Sequence, residues 1–133
     1  MSRITPAIRE QVRNRAANRC EYYRKPDDVT HYSHQVEHII ALKHQGSSAL
    51  DNLAWACFQC NSFKGSDIAS IDEATGALTR LFNPRIDLWN EHFLMDNFEI
   101  VGRTPVGRVT VRVLQMNHPN QLETRIFLSD TGR

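Results

Sequence analysis

Cys57-Phe58-Gln59-Cys60-Asn61-Ser62-Phe63-Lys64-Gly65 is the stretch on which the fold turns. Its first four residues spell Cys-x-x-Cys, a spacing that suits a zinc half-site, a redox pair or plain burial. Asn61 and Lys64 stand three residues apart, so a helix would carry both on one side. The spacing predicts a tight knuckle at Cys57 and Cys60, then a short helix over 61–68. Upstream, residues 51–56 turn the chain back and Gln45-Gly46-Ser47-Ser48 reads as a loop. Residues 36–42 are apolar apart from Glu37 and His38, which predicts a short extended segment.

Outward from this centre the chain becomes more regular. Thr5-Pro6 reads as an N-cap and first helical residue, and Ile8, Val12 and Ala16 follow at helical spacing, giving a helix over 6–18. Residues 20–35 are polar and irregular, with a turn at Pro26-Asp27-Asp28. Downstream, Thr75-Gly76 sits between short apolar stretches and predicts a hairpin, and Asn83-Pro84 breaks the chain before a helix over 87–92. Residues 98–101 read as a strand. Thr104-Pro105 repeats the cap signal before Val106, Val109, Val113 and Met116, although Val109, Val111 and Val113 also alternate as a strand would. Pro119 opens a last helix containing Leu122, Ile126 and Phe127. The expected architecture is a single α+β domain over 1–133, irregular in the middle and helical at both ends.

Composition supports a folded chain: 133 residues, 41% hydrophobic and 23% charged, with a net charge of +1. No apolar run is long enough to span a bilayer and no secretory signal opens the chain, so the expected compartment is the cytoplasm, with no membrane partner. The charge is unevenly spread. Arg3, Arg9, Arg13, Arg15, Arg19, Arg24 and Lys25 crowd the first 25 residues against only Glu10 and Glu21. Arginine pairs with phosphate in a bidentate way, so the cluster gains meaning only beside a phosphate-cleaving site.

Taken in order, Cys20, then Glu37-His38-Ile39-Ile40, then Asp51-Asn52-Leu53, then Cys57 to Gly65, the set resembles the HNH endonuclease family. The matching core runs over residues 20–65, and residues 66–133 look similar to the extension of a small bacterial subgroup. The resemblance implies a ββα-metal core, with an N-terminal helix before it and a C-terminal extension of a hairpin and helices packed on it. The chemistry has its own logic. Phosphodiester hydrolysis needs an activated water, neutralisation of the phosphoryl charge and help for the departing oxygen, and a hard divalent ion such as Mg²⁺ or Mn²⁺ serves the last two. Glu37 and Asn61 offer a carboxylate and an amide oxygen as metal ligands. His38 is the candidate general base, because neutral imidazole is abundant near neutral pH. Adjacent strand residues point to opposite faces, so Glu37 and His38 meet one substrate only with a twist of the backbone or an approach from the edge. Asn52 matches the middle letter of the family name and is expected to hold the His38-bearing strand through backbone hydrogen bonds. Lys64 is a candidate phosphate contact or stabiliser of developing charge, and His44 a secondary candidate for metal or phosphate.

One departure stands out. In zinc-bearing members two Cys-x-x-Cys pairs make a four-thiolate site. Here the first pair reads Cys20-Glu21-Tyr22-Tyr23, so Tyr23 stands where the fourth Cys would be, and a structural zinc is doubtful. Three outcomes stay open: Cys20, Cys57 and Cys60 with His31 or His34 as fourth ligand, three thiolates and water, or no zinc and cysteines packed as small apolar groups. The expected function is a DNA endonuclease of low sequence specificity, since no base-reading element is evident; RNA and the oligomeric state stay open. The alternatives are a catalytically degenerate nucleic-acid-binding protein and a zinc-knuckle interaction module.

Overall fold

The computed structural model describes residues 4–25 and 33–131. The turn expected at Pro26-Asp27-Asp28, and His31, lie outside the described residues. The fold is α+β, built of helices and three two-stranded antiparallel sheets among the described residues. It divides into two compact units, Met1–Ile68 with Asn83–Asp87, and Ala69–Phe82 with Leu88–Arg133.

The first unit holds α1 (Pro6–Arg15), β1 (Gln35–His38), β2 (Leu53–Ala56) and α2 (Phe58–Lys64). Thr5 caps α1, its hydroxyl accepting from the Ile8 amide at 3.1 Å, with Pro6 in the first turn. The helix ends at Arg15, earlier than its periodicity predicts. Ala17 and Asn18 turn into the left-handed region, which lets Asn18 Oδ1 accept from the Trp55 indole at 3.1 Å. A tertiary bond to a buried tryptophan outweighs one more helical turn. Val12, Leu53 and Trp55 form the core of this unit, with Ile4, Ile8, Ala16 and Val36 packed around them.

β1 and β2 pair antiparallel, Gln35 opposite Ala56, Val36 opposite Trp55, Glu37 opposite Ala54 and His38 opposite Leu53. All four residues of β2 are buried, which explains a continuous apolar run rather than an alternating one. β1 stops at His38 although the extended pattern continues to Leu42. Asn52 supplies the reason. Its backbone carbonyl accepts from the Ile39 amide and its side chain takes over both polar groups of Ile40, so the ladder gives way to a side-chain clamp. A short 3₁₀ turn, Leu42–His44, follows. Gly46 then passes so close to Ile40 that an added Cβ would lie 1.7 Å from its carbonyl oxygen.

α2 corrects the expected helix over 61–68. The Cys-x-x-Cys segment is its first turn, not a preceding knuckle: Cys57 is the N-cap, its Sγ accepting from the Cys60 amide at 3.4 Å. The helix closes at Gly65, whose φ of +52° suits glycine and whose amide returns to the Asn61 carbonyl. Asn83–Asp87 joins this unit through an ion pair of Arg85 with Glu21, whose other carboxylate oxygen accepts from the Trp55 amide.

The second unit holds β3 (Ala69–Ile71), β4 (Leu78–Arg80), α3 (Trp89–His92), β5 (Phe93–Asp96), β6 (Glu99–Gly102), α4 (Pro105–Val113) and α5 (Pro119–Asp130). Thr75-Gly76 does turn the β3–β4 hairpin. β5 escapes the sequence reading, and its hairpin with β6 turns on Asn97 and Phe98, both with positive φ as a type I′ turn requires. Thr104 caps α4, so the helical reading of the Val-rich segment prevails over the strand reading. The backbone of α4 approaches β6 closely at Gly102 and Gly107. α5 buries Gln121, Arg125 and Leu128 while Ile126 and Phe127 are exposed.

Candidate active site

The first unit is a hairpin with a helix laid on one face, and strand alternation sorts the candidate residues. Gln35 and Glu37 share the face of β1 that α2 covers. On α2, Asn61 and Lys64 sit one turn apart and face them. Two cross-links result. Asn61 Nδ2 donates to Gln35 Oε1 at 2.8 Å, and Lys64 Nζ pairs with Glu37 Oε1.

Glu37 is 3% exposed, and the Tyr22 hydroxyl donates to its other oxygen at 2.7 Å. Burial pushes the Glu37 carboxyl above its ordinary range, and the Lys64 ammonium and the Tyr22 hydrogen bond pull it back. Tyr22 is pushed well up by the same burial and by the neighbouring carboxylate. Lys64, expected at a phosphate, is 2% exposed and also donates to the Ile39 carbonyl at 2.8 Å. It therefore ties α2 to the end of β1 and neutralises Glu37 there.

His38 ends β1 with its Nε2 hydrogen-bonded to Ser48 Oγ at 2.9 Å. Asn52 makes three bonds to backbone: Oδ1 accepts from the Ile40 amide at 2.9 Å, and Nδ2 donates to the carbonyls of Ile40 at 2.9 Å and Ser47 at 2.7 Å. It thus clamps the end of the His38 strand to the loop that carries Ser48. His44 is exposed on the turn after β1. His34 is buried with Nε2 bonded to the Lys25 carbonyl, His92 Nδ1 meets Thr104 Oγ1 at 2.6 Å, and His118 caps α5.

Cys20, Cys57 and Cys60 are thiols outside any disulfide, fully buried and gathered with their sulfurs within 4.8 Å of one another. Hydrogen bonds from Cys20 and Cys60, with help from Lys25, pull the Cys57 thiol down, whereas burial pushes Cys20 up. The two halves of the cluster are built alike: the Tyr23 amide donates to Cys20 Sγ at 3.3 Å as the Cys60 amide does to Cys57 Sγ. Tyr23 keeps the shape of the turn without its thiol. Lys25 Nζ lies 5.2 Å from the centre of the Tyr23 ring and donates to Gln59 at 3.0 Å. The three sulfurs suit a thiophilic ion, but a phenol does not complete a tetrahedral zinc site beside them. For a hard divalent ion the donor types do fit. Glu37 brings a carboxylate whose Oε1 has Lys64 as its polar contact, and Asn61 Oδ1 accepts no hydrogen bond among the described residues.

The arginines of α1 work partly within the fold. Arg15 donates to the carbonyls of Leu50 at 2.9 Å and Leu53 at 2.6 Å, and Arg9 lies 4.8 Å over the Trp55 ring. Arg13 pairs with Glu10, and Arg19 donates to the Arg24 carbonyl. Sequence reasoning missed three residues of the site. Period-two alternation from Glu37 could have found Gln35. Nothing in the sequence singles out Tyr22 or Ser48, whose partners lie 15 and 10 residues away.

A helix laid on a two-stranded hairpin, with Glu37 and Asn61 each bonded across their junction, is a ββα arrangement. Residues 20–67 match the model of the family described as HNH endonuclease. No curated protein and no solved structure matches the chain. No helix among the described residues is long and apolar enough to cross a membrane.

Proposed function

We propose that this chain is a metal-dependent endonuclease that hydrolyses phosphodiester bonds in DNA with low sequence specificity. The observation that carries this reading is the junction of β1 and α2, where Glu37 and Asn61 stand on facing elements, each held by a partner on the other. Glu37 and Asn61 would hold one Mg²⁺ or Mn²⁺, which supplies charge neutralisation at the phosphoryl and departing oxygens. The remaining steps belong to the protein. With the His38 Nε2 proton donated to Ser48 Oγ, the Nδ1 lone pair is left to accept a proton from the attacking water. Asn52 fixes that ring indirectly by clamping both the end of its strand and the Ser47 carbonyl. Lys64 and Tyr22 orient the Glu37 carboxylate and offset the cost of burying it.

Phosphate contacts supply affinity without reading sequence. Arg9, Arg15 and Arg19 are exposed in the first unit, and Lys43 and His44 are exposed on the turn after β1. Supercoiled plasmid should be nicked with Mg²⁺ or Mn²⁺ and spared in EDTA, with a rate that falls as salt rises. An RNA substrate run in parallel decides the nucleic-acid preference. No metal-stimulated cleavage by the wild type would sink the nuclease reading, and equal cleavage by His38→Ala would sink the assigned mechanism.

A further inference from the structure

We propose that Gln35 is a positioning residue that turns the Asn61 side chain so that its oxygen faces the divalent ion. The proposal rests on the reading of Asn61 as a metal ligand. An asparagine can ligate a cation only through its oxygen, yet its amide can rotate to present either end. A ligand of this kind needs something to choose the end. Gln35 presents its own oxygen to Asn61 Nδ2 at 2.8 Å, and this orientation of the amide pair makes that choice. It commits the nitrogen to β1 and leaves Oδ1 without a hydrogen-bond donor among the described residues.

The placement follows from the backbone. Gln35 is the first residue of β1, two before Glu37 and therefore on the same face. Asn61 stands three before Lys64 on α2. The Gln35–Asn61 and Glu37–Lys64 links are thus two rungs between one strand and one helix, and each rung holds one of the two oxygen donors. Gln35 is exposed and its side chain makes no other hydrogen bond among the described residues, so the packed core does not need that side chain. Partners that orient metal ligands commonly change metal affinity about 10–100-fold when removed.

Mn²⁺ binding, read from the free-ion signal in electron paramagnetic resonance, tests this without requiring turnover. Four proteins are compared: wild type, Gln35→Met, Asn61→Asp and the double variant, each checked by circular dichroism. Gln35→Met is expected to weaken Mn²⁺ binding about tenfold or more. In the Asn61→Asp background the same change should have almost no effect, because a carboxylate presents an oxygen whichever way it turns. Gln35→Glu keeps an acceptor for Asn61 Nδ2 and should bind Mn²⁺ at least as tightly as wild type. Equal weakening in both backgrounds would mean that Gln35 acts through general structure and would overturn the proposal. Unchanged binding in Gln35→Met, or no Mn²⁺ binding by the wild type, would overturn it too. Mn²⁺ binding with the expected pattern but no cleavage of DNA would leave Gln35 in this role and remove the nuclease reading alone. At saturating Mn²⁺, Gln35→Met should leave KM for DNA unchanged.

Discussion

In each of the two units an ion pair joins a strand region to a helix, Glu37–Lys64 in the first and Asp72–Arg108 in the second, and these two pairs behave in opposite ways. In the first unit Glu37 meets Lys64 with both side chains almost fully hidden, at 2% and 1% exposure. In the second unit Asp72, at the end of the β3–β4 hairpin, receives two hydrogen bonds from Arg108 on α4, at 3.0 and 2.9 Å, and the guanidinium is 38% exposed. Burial wins at Glu37 and pushes its carboxyl up. The paired Arg108 bonds win at Asp72 and hold its carboxyl down at about 2. The same pairing of opposite charges therefore gives a strained carboxylate in one place and a settled one in the other. A planar fork with one side in water stabilises the charged form, whereas a single ammonium in a dry site only offsets the loss of hydration. Perturbed groups of the first kind collect where chemistry is done.

The largest expected effect comes from breaking the buried pair. Lys64→Met should leave Glu37 buried and unneutralised and cost about 3–5 kcal/mol in urea unfolding. Arg108→Met should cost clearly less, since the Asp72 carboxylate, itself buried, keeps its bond from Thr75 and loses a guanidinium that is 38% exposed and replaceable by water. Equal losses would erase the distinction between the two pairs. A second contrast uses the histidines, each bonded to a hydroxyl. His38→Ala should lower cleavage about 10²–10⁴-fold with little change in stability, whereas His92→Ala, which breaks the bond to Thr104, should leave cleavage intact and lower stability by about 1 kcal/mol.

The third expectation concerns acid. A carboxyl held down in the folded protein contributes stability above its unfolded range, and that contribution is lost as pH falls through its folded value. For Asp72 the loss should run from about pH 4 to about pH 2, and Asp72→Asn should flatten the stability curve across that window. The smallest change tests the cysteine cluster. Tyr23→Cys should complete a four-thiolate site in a turn already shaped for it, and elemental analysis should then find one zinc per chain, against less than one in the wild type.

Much of this molecule is written locally. Thr5-Pro6, Thr104-Pro105 and His118-Pro119 each open a helix, because capping depends on residues three or four apart and on the fixed φ of proline. Thr75-Gly76 marks its hairpin for the same local reason. Element ends were harder to read. α1 stops for Trp55, β1 stops for Asn52, and α2 starts early because a cysteine serves as its cap, a role usually given to Ser, Thr, Asp or Asn. β5 went unread because Phe93, Leu94 and Met95 lack an alternating pattern, and its turn uses Asn97-Phe98 where Asn-Gly would have signalled a hairpin.

By itself the sequence determined which residues are candidates. Glu37, His38, Asn52, Asn61 and Lys64 are the candidate donors and base, and their order along the chain, with Cys20, Cys57 and Cys60, carries the resemblance to the family whose model matches residues 20–67. Only the tertiary structure decided how each is used. Lys64 turns inward to Glu37, Tyr22 joins them, Ser48 holds the imidazole, and Gln35 takes the Asn61 amide. The reason is physical. Residue type fixes what a side chain can donate or accept, but burial and the partner across the junction set its charge and direction, and those partners are brought together only when α2 closes on the hairpin.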